Sequence, residues 1–238
     1  MQLRSLLVKC LGPRLVPFFK TFALLYVIYP KQEASVGYSL FKCAPIVCLI
    51  GFVLMYGFRV PHKQAYARKV LLGLIFSCMG DACLVFGGPY FNLGIGFFAV
   101  AHMLYVAAFG CQPPALSLLP WIMSGIGAVW IYCFSQISTE LRLIGAVYGF
   151  LLSLMIWRAA AQLLNGNAPI PWTSISRAFG ATLFGISDAV LSVELVYGPG
   201  TKLAFLILPT YYAAQMCITV SVVDRKLASI KASSVLSQ

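Results

Sequence analysis

Apolar residues run along most of this chain in blocks long enough to cross a bilayer, and the polar residues gather in the short breaks between them. A crossing helix needs roughly 20 apolar residues, within a range of about 17–25. On that measure the pattern predicts eight spans, at about 15–30, 39–58, 69–87, 91–111, 116–134, 141–164, 174–197 and 203–223. The first is the least regular, because it is short and holds Pro17 and Lys20. The breaks carry helix-punctuating residues: Gly87-Gly88-Pro89, Gln112-Pro113-Pro114, Asn165-Gly166-Asn167 and Gly198-Pro199-Gly200. The expected fold class is an all-α integral membrane protein. It is a bundle of about eight transmembrane helices, read as one helical domain over 1–224 with a short tail over 225–238.

Composition agrees with the pattern. Of 238 residues, 61% are hydrophobic and only 10% charged, with a mean hydropathy of +0.89. A soluble domain is about 25% charged. Seventeen Lys and Arg against six Asp and Glu give a net charge of +11. In a membrane protein those cations set orientation rather than attract nucleic acid, and no nucleic-acid partner is implied. With the N-terminus cytoplasmic, four of the seventeen (Lys31, Lys42, Arg142 and Lys202) fall on the far side and the other thirteen on the cytoplasmic side. That favours eight helices with both termini cytoplasmic; seven would divide the basic ends. The N-terminus shows no long apolar core followed by a small-residue cleavage site, so a removed signal peptide is not expected. Eight scattered cysteines form no CxxC and no disulfide or zinc spacing, and read as small packing residues.

Two aspartates stand inside the apolar runs. Asp81 lies in FSCMGDACLVF and Asp188 in LFGISDAVLSV, each in a small–Asp–Ala–x–Leu context. A carboxylate at mid-bilayer costs at least about 2.5–3.5 kcal/mol, so each is a candidate functional residue. Asp81 is twelve residues beyond Lys69 and Asp188 eleven beyond Arg177, about 16–18 Å along a helix at 1.5 Å per residue. The third and seventh spans are four apart, which suggests a weak parallel 4+4 repeat. Low dielectric disfavours a charged carboxyl and a second one nearby disfavours it further, so the expected pair is one protonated and one ionised Asp. Such a pair suits general acid–base chemistry.

Other polar residues share these helices. Ser77, Gly73 and Gly80 lie on or beside the Asp81 face, and Phe184 and Gly185 precede Asp188 by one turn. His102 and Tyr105, three apart on the fourth span, share a face, as do Tyr211 and Gln215, four apart on the eighth. A lone intramembrane His does not make a zinc site, so no metal or cofactor is expected. Its alternatives are a hydrogen bond to an Asp or a substrate oxygen, or a satisfied core histidine. Lys42 either binds a phosphate or snorkels to the interface, and Lys20 has the same alternatives. Glu194 is a minor candidate. The basic stretch 59–69 reads as a topology determinant and lipid-headgroup contact. No GxSxG, HExxH or P-loop appears.

The segments GDACLV, AHMLYVAAFG, ISDAVL and PTYYAAQM, in this order and spacing, resemble the lysoplasmalogenases, and PRLVPFFK and FKCAPI resemble the vertebrate members. The resemblance runs over nearly the whole chain. It implies a multi-span enzyme of the endoplasmic reticulum that cleaves the vinyl ether of lysoplasmalogens, releasing a fatty aldehyde and glycerophosphocholine or glycerophosphoethanolamine. It implies that Asp81 and Asp188 are catalytic, and that His102, Tyr105, Tyr211 and Gln215 line the pocket; Lys42 and Ser77, read from the residues themselves, are further candidate substrate contacts. The partner it implies is a lysophospholipid within the membrane. Read from the residues alone, two alternatives stay open: a proton-coupled carrier using the same two Asp, and a non-catalytic lipid-binding or scaffold protein.

Overall fold

A computed structural model describes residues 2–58, 64–134, 136, 139–164, 170–198 and 201–223, with side chains from Gly12 onward except that of Glu140. Arg59 and Lys63 of the basic stretch, the Asn165-Gly166-Asn167 break, Pro199, Gly200 and the tail 225–238 lie outside the described residues. Every regular element among the described residues is helical. The α-helices are α1 (Gln2–Ile28), α2 (Val36–Tyr56), α3 (Gln64–Phe86), α4 (Phe91–Phe109), α5 (Leu119–Phe134), α6 (Thr139–Ala161), α7 (Trp172–Tyr197) and α8 (Ile207–Val220). Short 3₁₀ turns stand at Gly88–Tyr90, Leu116–Leu118, Gln162–Leu164 and Ala204–Leu206. Helix is what the apolar runs require, since hydrocarbon offers no partner for a free backbone N–H or C=O.

Among the described residues six helices are long and apolar enough to cross a membrane, which makes this a multi-pass membrane protein. Two of the eight expected spans fall short of that measure. The segment Ala204–Val220 is apolar but shorter, and α1 carries Arg14, Lys20 and two prolines. Large apolar side chains point outward along the helices, as a lipid-facing surface needs: Trp121 is 79% exposed and Val27 75%. Helix ends also run past the hydropathy boundaries. α3 begins at Gln64 and α7 at Trp172, earlier than the predicted 69 and 174. The polar first turns are helical although they are not apolar. Asp81 and Asp188 therefore lie 17 and 16 residues into their helices, about 24–26 Å by rise, and about 16–18 Å beyond Lys69 and Arg177 within them. The two positions along the helix remain similar.

Glycine closes two of these helices. Gly110 (φ 79°) and Gly198 (φ 88°) follow α4 and α7 in the positive-φ region, and their N–H groups reach back to Val106 O at 3.1 Å and Glu194 O at 3.0 Å.

The chain divides into two compact units, one formed by the residues up to Phe98 together with those from Ser221, the other by Ala99–Val220. In the first, α1 packs on α2 and α2 on α3, over a core that includes Phe18, Ile46, Leu49, Phe52, Val53, Val70 and Leu74. The return to α4 is tight: a side chain at Gly80 would meet the Phe98 ring at 2.7 Å and Gly94 O at 3.2 Å. The second unit is built on α7 against α8 and on α5, α6 and α7. Its Arg158 donates from Nε to Gly110 O at 2.6 Å and from an η nitrogen to Pro113 O at 2.8 Å. Gln162 donates to Phe109 O and Gln112 O, so the end of α6 holds the chain that leaves α4.

Gly180 lies where α7 packs tightly on α8. A Cβ there would lie 2.8 Å from Ala214 O and 2.9 Å from Cys217 Cβ. Backbone cannot yield as a flexible side chain can, so Gly180→Val forces the helices apart. The expected cost is about 1–3 kcal/mol or more, read as a lowered melting temperature of the detergent-solubilised protein.

Candidate functional site

In the first unit, α2 and α3 bring a lysine to the buried aspartate. Lys42 lies six residues into α2 and Asp81 five residues before the end of α3, so in antiparallel neighbours they come to one level. Lys42 Nζ stands 3.4 Å from Asp81 Oδ1, with side-chain exposures of 12% and 3%. The sequence left Lys42 between a phosphate contact and snorkelling; in the structure its ammonium faces Asp81. Ser77, one turn before Asp81, is fully buried, and its hydroxyl has no hydrogen-bond partner. On the same two helices the Cys43 thiol donates to Cys78 O at 3.4 Å. The seven described cysteines with placed side chains are all free thiols.

In the second unit, α4, α6 and α7 assemble a chain of three hydrogen-bonding groups. Tyr148 Oη donates to Asp188 Oδ2 at 2.6 Å, and His102 Nε2 lies 2.9 Å from the same Tyr148 oxygen and 3.7 Å from Asp188 Oδ2. His102 is fully buried, its ring edge-on to Phe184 with centroids 4.8 Å apart, and its Nδ1 has no hydrogen-bond partner. The space for this arrangement comes partly from Gly185, where a Cβ would meet Ile156 Cδ1 of α6 at 2.7 Å. A tyrosine hydroxyl has one proton to give and lone pairs to accept with. Tyr148 therefore links the carboxyl and the imidazole in either direction of proton travel.

A second buried contact lies one turn along α4. Tyr105 Oη donates to Gln215 Oε1 of α8 at 2.8 Å, both residues fully buried, and Gln215 Nε2 is left without a partner. Tyr211 packs edge-on against Phe184, centroids 5.5 Å apart. Of the predicted site residues, the structure thus joins Lys42 to Asp81, His102 to Asp188 and Tyr105 to Gln215. Glu194, the minor candidate, accepts from the backbone N–H of Thr201 at 3.2 Å and from its hydroxyl, closing the turn after α7.

Tyr148 is the site residue that the sequence reading missed. In IGAVYGFLL it looks like one more aromatic in an apolar run. Its signal was the hydroxyl itself, which needs a partner inside a membrane, flanked by Gly145 and Gly149. Among the described residues no three His, Cys, Asp or Glu gather as metal ligands would.

A family model described as the YhhN family matches residues 37–222. The chain is 37% identical over 223 residues to "Lysoplasmalogenase TMEM86A" of Bos taurus and 38% identical over 224 residues to that of Homo sapiens, each match covering 92% of both chains. It is 33% identical over 208 residues to "Lysoplasmalogenase TMEM86B" of Homo sapiens, covering 87% of this chain and 85% of that one. No solved structure gives a significant match.

Proposed function

We propose that this chain, which belongs to the YhhN family, hydrolyses the vinyl ether bond of lysoplasmalogens, releasing a fatty aldehyde and glycerophosphocholine or glycerophosphoethanolamine. The observation that carries the reading is a membrane carboxyl, Asp188, joined through Tyr148 to His102 in a chain whose relatives over 92% of its length bear the name lysoplasmalogenase.

The chemistry suits what the helices hold. A carboxylic acid gives its proton to the vinyl carbon β to the ether oxygen, the π pair forming the new C–H bond. The oxygen lone pair stabilises the resulting oxocarbenium ion, and a carboxylate lowers its energy further. Water adds at the α carbon and its proton returns to a carboxylate. The hemiacetal then breaks its bond to the glycerol oxygen, which takes up the hydroxyl proton, and aldehyde departs. Water is the only co-reactant. Asp81 and Asp188 are the two carboxyls of this scheme, and Ser77, Lys42, Tyr105, Tyr211 and Gln215 contribute to binding the lysophospholipid. The same reading takes the chain eight times across the endoplasmic reticulum membrane with both termini in the cytoplasm, supported by the thirteen-to-four division of its cations.

Incubating the detergent-purified protein with a lysoplasmalogen and with its saturated ether analogue tests the reaction class. Aldehyde is expected from the first and none from the second, since a saturated ether has no π pair to protonate. Aldehyde from neither, with uptake of intact lipid into sealed vesicles, overturns the reading in favour of a carrier.

A further inference from the structure

We infer that Gln215, anchored by Tyr105, is the residue that recognises the free sn-2 hydroxyl of the lipid glycerol, the group that distinguishes a lyso lipid from a diacyl one. The inference rests on the vinyl ether reading above and concerns the part of the substrate beside the reacting bond. All the residues involved belong to the second unit, Ala99–Val220.

Gln215 is fully buried on α8, and the Tyr105 hydroxyl of α4 holds its amide by donating to Oε1 at 2.8 Å. The other end of the amide, Nε2, has no hydrogen-bond partner. An amide N–H withdrawn from water and left unpaired costs free energy, and inside a membrane no lipid tail supplies an acceptor. A leucine or methionine of similar volume fills the same space at no such cost. An acceptor end that is fixed and a donor end that is free suit a group that meets an oxygen arriving from outside the fold. The neighbouring wall is aromatic. Tyr211, one turn before Gln215, packs on Phe184 with centroids 5.5 Å apart, and Phe184 packs on His102 at 4.8 Å.

Position selects the oxygen. A Cβ at Gly180 of α7 would lie 2.8 Å from Ala214 O, which puts Gln215 beside the α7 turn that holds Gly180. Asp188 is eight residues further along α7, about 12 Å by rise. In a lysoplasmalogen the sn-2 oxygen is five bonds from the vinyl carbon that takes the proton. A hydrogen bond at one end, that stretch of lipid and a proton-transfer contact at the other together span about 10–12 Å. The ether oxygen is only two bonds from the same carbon, too close to it to reach Gln215. The phosphate is an anion and calls for a cation, whereas the Gln215 amide is a neutral donor. A neutral donor matches a neutral hydroxyl.

The 2-deoxy analogue of lysoplasmalogen, which carries hydrogen in place of the sn-2 hydroxyl and keeps the vinyl ether, tests the contact. Aldehyde release by the detergent-purified protein is measured on both lipids for wild type, Gln215→Leu and Tyr105→Phe. A site that bonds a substrate hydroxyl rejects the analogue lacking it, so wild-type kcat/KM is expected to be at least about 10²-fold lower on the 2-deoxy lipid. Gln215→Leu is expected to lose about the same factor on lysoplasmalogen and to change less than about threefold on the analogue, so that the two substrates converge. A merely structural glutamine lowers both substrates alike, and an unchanged ratio in Gln215→Leu overturns the inference. Tyr105→Phe keeps the amide but frees its anchored end, and the ratio is expected to narrow at least about threefold; an unchanged ratio there overturns the anchoring role of Tyr105. The wild-type comparison needs no variant to fold. Equal kcat/KM on the two lipids overturns the inference while aldehyde from both leaves the reaction class intact. Wild-type protein that releases no aldehyde from lysoplasmalogen sinks the vinyl ether reading instead.

Discussion

Asp188→Asn lowers aldehyde release by at least about 10³-fold, near the upper part of what general acid–base catalysis contributes, while the protein keeps its melting temperature within a few degrees. The asymmetry follows from the geometry. An asparagine has the shape of the aspartate, and its amide oxygen still accepts the hydrogen bond that Tyr148 gives to Oδ2 at 2.6 Å. The Ser192 hydroxyl bonds to the backbone carbonyl of residue 188 at 2.8 Å and is indifferent to the side chain. What the amide lacks is a proton to give at any accessible pH. The amide fills the same volume and keeps the contact with Tyr148, so stability is expected to hold. Steady-state aldehyde release and thermal melting on the same preparation check both halves. Wild-type turnover by a folded Asp188→Asn protein overturns the catalytic role of this residue, whatever the relatives do.

The helices were legible because hydropathy is a sum over some twenty residues and tolerates local error. Asp81 and Asp188 were legible because a carboxyl in hydrocarbon is expensive enough to demand a reason. The partners were harder. Lys42 and Asp81 are 39 positions apart, and only the true ends of α2 and α3 put them at one level. Measured from the predicted spans 39–58 and 69–87, Lys42 is three residues from one end and Asp81 six. Measured from Val36 and Phe86, the offsets are six and five. Hydropathy marks where the apolar run stops, and the helix goes on through residues such as Val36, Gly37 and Tyr38, which Ser35 caps by accepting from the Tyr38 N–H at 3.0 Å. Tyr148 was hidden for a different reason. Tyrosine is apolar enough to pass as packing, and its hydroxyl announces itself only when the chain has brought an acceptor beside it. His102 sat between the two cases. Its facing an Asp was one of two readings open from the sequence, and the link through a third helix was not visible.

Lys42→Met is expected to cost about 3–5 kcal/mol of stability, the range for breaking a buried ion pair from one side. For a protein of this size that is a fall in melting temperature on the order of 10 °C. Methionine replaces the lysine stem with apolar volume but leaves the Asp81 carboxylate buried without the ammonium at 3.4 Å. Asp81→Asn leaves the complementary problem in a milder form, because Lys42 retains 12% exposure and a long flexible stem that can carry its charge toward the polar edge. Combining the two changes removes both charges. The double variant is expected to regain most of the stability lost in Lys42→Met, giving a favourable coupling in a double-mutant cycle. Activity is expected to follow a different course: if Asp81 is one of the two carboxyls of the proposed reaction, the double variant stays inactive. Melting curves that recover while aldehyde release does not would separate the cost of holding Asp81 in the membrane from the catalytic role proposed for it. A Lys42→Met protein as stable as wild type shows instead that the ammonium does not hold this carboxylate in place.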